Sequence, residues 1–216
     1  MTPSIIDSFA ALPVGVWLQI LAVNKDDTRD EVDKQVGTLA LLTGRTEREL
    51  LNIPIAEYSA LARKADFLAS VPERLPRAAR SYKAGPFTLR AQADLHKITA
   101  AQYIDFQTFA PEGEARLVEL LSVALVPEGC DYNDGTYDLG AVQDAIREGI
   151  SVEQALSLTA FFLGKFAALI VSTRRSLTRM ARTERNPERR ARMRERLADL
   201  ERAAETLLAA GDGLQM

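Results

Sequence analysis

The chain has 216 residues, 47% of them apolar, so it can bury one domain-sized core and is too apolar for a disordered segment. Its net charge of −3 gives no global attraction to nucleic acid, and its single cysteine, Cys130, excludes an intrachain disulfide or a multi-cysteine metal site. The start MTPSIIDSFAALPVG lacks a basic signal region, and the most apolar run, Leu158 to Val171, is shorter than the ~20 residues of a membrane span and contains Lys165. The expectation is a cytoplasmic protein that does not enter a membrane.

Pro13 to Val23 reads as a first helix with Val16, Trp17, Ile20 and Leu21 on one face. Asp27 or Thr28 is expected to cap a second helix. That helix runs to Thr43 with Val32, Val36, Leu39 and Leu42 at helical spacing, and Gly44 closes it in a left-handed conformation. Thr46 and Glu49 stand at capping-box spacing for a short helix to Leu51, and Pro54 opens another that runs to Ser70. Between 71 and 98 the pattern changes. Pro72, Pro76, Gly85 and Pro86 punctuate the chain, while Ser81-Tyr82-Lys83 and Phe87-Thr88-Leu89-Arg90 alternate as strands do. A small β-hairpin is expected near 80–98, with a third strand at Leu95 to Ile98; the competing reading is an irregular connector.

Thr99 is placed to cap a helix carrying Tyr103, Ile104, Phe106 and Phe109, which Pro111 ends; Glu112 to Val126 reads as the next helix. Asp138 caps Leu139 to Arg147, Gly149 stops that helix, and Ser151 starts a long one to Arg182. Asn186-Pro187-Glu188 nucleates a last helix to Ala210. The sum is a mainly α fold of about eight helices with a hairpin insert. The expected division is a helical core domain over 1–172 and a charged C-terminal helical extension over 173–216.

Charge is unevenly spread. From Arg174 to Arg202 there are eleven arginines against five acidic residues, a net of +6, which leaves −9 on the rest. The C-terminal part is therefore suited to an acidic partner or to the acidic body of a neighbouring subunit. Its stripe Met193, Leu197, Leu200, Ala204 and Leu207 has the 4-3-4-3 spacing of a narrow helix seam, for folding back or for a partner chain. Interspersed Glu195, Asp199, Glu201 and Glu205 neutralise that helix, and it has no aromatic residue to stack on a base, so nucleic acid is disfavoured.

The loop Pro127 to Gly140, PEGCDYNDGTYDLG, has carboxylates at calcium-like spacing. An EF-hand starting at Asp131 needs glycine at its sixth place and glutamate at its twelfth; Thr136 and Val142 stand there. The alternative is a structural loop in which Asn133-Asp134-Gly135 turns and Asp138 caps a helix. Cys130 and His96 form a Cys-His pair only if the fold brings them together, and no G-x-S-x-G, P-loop or dinucleotide fingerprint is present. No catalytic, cofactor-binding or metal-binding residue is assigned. The run at 158–171 reads as a central core helix, or as a helix whose Phe161, Phe162 and Phe166 anchor another chain.

The segments ITAAQYIDFQTF and LVPEGCDYNDGTYDLGAVQDAIREGISVEQALSLTAFFL flank an apolar helix between Ile98 and Leu163. Together they resemble tail assembly chaperone-like and tail-module proteins of tailed bacteriophages and prophages. The pattern of helix, acidic break, long helix, glycine turn and short helix in residues 10–68 is similar to the same group, so the resemblance covers residues 10–172 and ends before Arg174. It implies a non-enzymatic protein that binds the tape-measure protein or other tail proteins and assists tail-tube assembly. Tyr103, Phe161, Phe162 and Phe166 would then line a groove for an amphipathic helix. The alternatives are a structural virion component, such as a neck, connector or baseplate protein, and a nucleic-acid-binding accessory.

Overall fold

The computed structural model describes residues 5–70, 72, 74–92, 94, 97–183, 186–189, 191, 192, 195 and 198, with backbone alone at 163, 164, 166–174 and 177. The chain is mainly helical, with one small antiparallel sheet. Helix α1 spans Val14–Lys25 and α2 spans Glu31–Thr43. Asp30 caps α2, its carboxylate accepting from the Asp33 N–H at 2.8 Å. The expected caps lie too early, because Asp26 accepts from the Thr28 backbone N–H at 2.9 Å and holds residues 26–28 in a turn of their own. The later start leaves Val32 at the first turn, 63% exposed, instead of in the core.

Gly44 closes α2 at φ 66°, as expected. Thr46 and Glu49 form the full capping box of α3 (Glu47–Leu51), and the backbone and hydroxyl of Thr46 hold the Glu49 carboxyl below its usual range. Helix α4 (Ile55–Lys64) tightens into a 3-10 turn over Ala65–Ala69 before the prolines.

The hairpin is present. Strands β1 (Ser81–Ala84) and β2 (Phe87–Ala91) pair with Tyr82 opposite Leu89, and Gly85 supplies the turn at φ 53°. The third strand is elsewhere: β3 (Leu125–Pro127) pairs with β2, Ala91 opposite Leu125. Ile98 is not in a strand, and Leu95 and His96 lie outside the described residues. The expected helix over 112–126 is divided accordingly. Ala110–Arg116 is 3-10 with a break at Gly113 (φ 57°), α6 covers Leu117–Ala124 after α5 (Ala100–Phe109), and the last three apolar residues extend into the sheet.

Helix α7 spans Leu139–Gly149 and α8 spans Val152–Thr183, crossing residue 172 without interruption. The main core joins all of these: Val14 from α1, Tyr82 and Leu89 from the sheet, Phe106 from α5, Leu121 from α6, Ile146 from α7, and Leu158 and Phe162 from α8. A second cluster around Leu12, Ile20, Leu42 and Val152 and a third around Val36, Leu39 and Leu50 fasten the N-terminal helices to it. Two backbone bonds close the fold on itself. Val14 N–H donates to Ile150 O at 2.9 Å, and Val152 N–H to Leu12 O at 2.8 Å. They set the start of α1 beside the α7–α8 junction.

Candidate functional site

The acidic loop is shaped by its own side chains. Its first residue, Glu128, donates its N–H to Thr88 O of β2 at 2.9 Å. Asp134 accepts from the Asp131 N–H at 3.0 Å and from the Thr136 N–H and hydroxyl at 2.9 and 2.6 Å. These bonds hold its carboxyl below the usual range. Asn133 and Gly135 adopt left-handed conformations at φ 53° and 80°, and Asp138 Oδ1 caps α7 through the N–H groups of Gly140 and Ala141 at 2.8 and 3.3 Å. Tyr132 is buried and donates its hydroxyl to Asp105 Oδ2 on α5 at 2.8 Å; burial first, then the Asp105 carboxylate, pushes its phenol up. Asn133, Gly135 and Asp138 thus have the turning and capping roles expected of them. Among the described residues no group of three His, Cys, Asp or Glu side chains is arranged to hold a metal ion.

The aromatic candidates are dispersed. Tyr103 stands on the surface of α5, 46% exposed, beside Ile104 at 61%. Phe162 packs in the main core and is 7% exposed. It was expected to line a groove; its place is the main core, where a fully apolar ring gains most from leaving water. Phe161 is half-buried, edge-to-face with Phe162 at 5.4 Å, and Lys165 Nζ lies 5.4 Å from its ring centroid. Phe166 falls within α8 with its side chain outside the described atoms, and Met193, Leu197 and Leu200 lie outside the described residues.

One hollow lies between α1 and α7. It is an open groove of about 570 Å³, walled by Pro13 and by Val16, Leu18 and Ala22 of α1 and lipped by Arg147 and Glu148 of α7. Gly15 forms part of its wall; a Cβ there would come 3.0 Å from Arg147 O, so glycine lets the two helices approach at that point. Gln19 and Ala22 are exposed along it, and Arg147 is held by Asp144 at 2.7 Å. Sequence reading passed over this groove because Val16 and Leu18 carry the signature of core residues. The available signal was Gly15, a helix-weakening residue inside an apolar helical run.

A second hollow, of about 10 Å³, lies under Trp17, Leu117, Val152, Ala155, Leu156 and Thr159. It is no larger than one water, and the Thr159 hydroxyl bonds to Ala155 O of its own helix at 2.9 Å, so it is a packing gap and not a ligand site.

The chain has no significant match among protein families, curated proteins or solved structures. What its surface can do therefore rests on its geometry: an open groove with apolar side chains of α1 on one side and a charged lip on the other. Among the described residues no helix is long and apolar enough to cross a membrane.

Proposed function

We propose that the chain is a non-enzymatic assembly protein that holds an amphipathic helical segment of another protein in the α1–α7 groove. The observation that carries this reading is the groove's make-up. Apolar side chains of α1 form one wall, and Arg147 and Glu148 stand at the other edge, where a bound helix would turn its polar flank. The α1 residues that line it run from Gly15 to Ala22, about 11 Å at 1.5 Å per residue, room for about two turns of a partner helix.

The resemblance of residues 10–172 to tail assembly chaperones supports naming the partner class. A tape-measure protein is long and helical, and its exposed apolar stripes would need cover until tail-tube subunits enclose it. Tyr103 and Ile104 offer a second exposed apolar site for such a chain on α5.

Co-expression with a phage tape-measure protein tests the proposal. The wild type is expected to keep that protein soluble and to co-elute with it, and Ala22→Arg, which places a long cation in the groove, is expected to abolish co-elution. A tape-measure protein that stays insoluble and unbound beside the wild type would overturn the proposal. Stoichiometric copies of the chain in purified particles would assign it to the virion instead.

A further inference from the structure

We infer that the outer face of the hairpin and the loop after β3 form one bipolar surface by which two copies of this chain pair about a two-fold axis. Residues 74–92 contain Arg74, Arg77, Arg80, Lys83 and Arg90 and no acid, and all five cations are exposed. Strand alternation puts Lys83 of β1 and Arg90 of β2 on the outer face, because Tyr82 and Leu89 point into the core. Residues 128–138 show the opposite sign: Glu128, Asp131, Asp134 and Asp138 are exposed, with no cation between them.

The two patches adjoin. Glu128 N–H bonds to Thr88 O, and Thr88 sits opposite Lys83 in the hairpin, so the acidic loop leaves the sheet beside the basic strip. Among the described residues none of the five cations is in an ion pair, and neither Glu128 nor Asp131 is. The five cations and the carboxylates of Glu128 and Asp131 are therefore open to another molecule, while Asp134 and Asp138 add their charge from within the loop's own turn and cap.

A strip of +5 beside a loop of −4 is self-complementary. A two-fold rotation lays the strip of one copy on the loop of the other, and the same contact forms twice. A nucleic acid fits less well, because a phosphate backbone following the strip would run onto the carboxylates of the loop. Edge-to-edge strand pairing fits less well too, since Lys83 on the edge strand β1 would face its own copy.

Sedimentation velocity of the full chain tests the inference. At about 50 mM salt a concentration-dependent dimer is expected, weakening about tenfold by ~300 mM as the charges are screened. The double variant Lys83→Glu, Arg90→Glu and the double variant Glu128→Lys, Asp131→Lys should each be monomeric, and an equimolar mixture of the two should restore the dimer. None of these four side chains is in the core, so circular dichroism should be unchanged in both variants. A wild type that is monomeric at ~100 μM in low salt, or a dimer indifferent to both variants, would overturn the inference. So would DNA retention of the wild type that Lys83→Glu, Arg90→Glu removes.

Discussion

Tyr132 donates its hydroxyl to Asp105 at 2.8 Å, across 27 residues of sequence, and so fastens the loop after β3 to α5. The ring is buried while the rest of the loop lies largely in solvent, which makes this pair the loop's main tie to the body of the protein.

Removing that bond should loosen the loop without unfolding the domain. Tyr132→Phe keeps the ring and is expected to cost about 0.5–1.5 kcal/mol. Urea denaturation should show a lowered midpoint at unchanged slope, and proteolysis between 128 and 138 should accelerate. A variant as stable and as resistant as the wild type would refute the role.

The same pair sets a response to alkali. The Tyr132 phenol is raised above its ordinary value of 10.0, so the folded state holds that proton more tightly than the unfolded one. Its contribution to stability is complete below pH 10 and declines as the pH rises beyond it. Melting temperatures of the wild type should fall between about pH 10 and 11 more steeply than those of Tyr132→Phe. Parallel curves would contradict this.

Asp134 predicts the reverse dependence at the acid end. Its carboxyl is held below the ordinary value of 3.8, chiefly by the Thr136 hydroxyl, so its contribution is present above that value and is lost as the pH falls through the lowered one. In Thr136→Val the Asp134 carboxyl should titrate closer to 3.8, read by carbon-detected NMR of the side-chain carboxyl. A wild-type Asp134 titrating at its ordinary value would dismiss the account.

Gly149 is required by contact. A Cβ there would lie 2.7 Å from Ala84 Cα, and the close neighbour is the backbone of β1, which cannot move aside as a side-chain tip can. Gly149→Ala should destabilise the fold by about 1–3 kcal/mol through overpacking. Calorimetry should give a lower melting temperature, and an equal or higher one would mean that α7 and the hairpin are not packed this closely.

How much of this was readable beforehand follows from the range of the interactions. The caps at Thr46, Thr99 and Asp138 and the glycine end at Gly44 are signalled by residues within four positions of one another, the hairpin at 81–91 by strand alternation on either side of Gly85-Pro86, and each is where expected. The start of α2 was misplaced because Asp26, Asp27, Thr28 and Asp30 all offer cap chemistry, and only the turn at Thr28 decides among them. Strand β3 was hidden in LVELLSVALV, an apolar run whose periodicity cannot separate a buried strand from the end of a buried helix. Of the site, the roles of Asn133, Gly135 and Asp138 are local and were legible. The α1–α7 groove joins segments more than 120 residues apart and is visible only once the Val14–Ile150 bond brings them together.

Partner-helix binding in the α1–α7 groove, as proposed, can be measured directly. The direct measurement is a fluorescence-anisotropy titration of labelled helical segments, each about 20 residues long, from a tape-measure protein. At least one segment should bind saturably, and Ala22→Arg should weaken that binding at least tenfold with no change in circular dichroism. Absence of binding by every segment, or binding that Ala22→Arg leaves intact, would contradict the proposal.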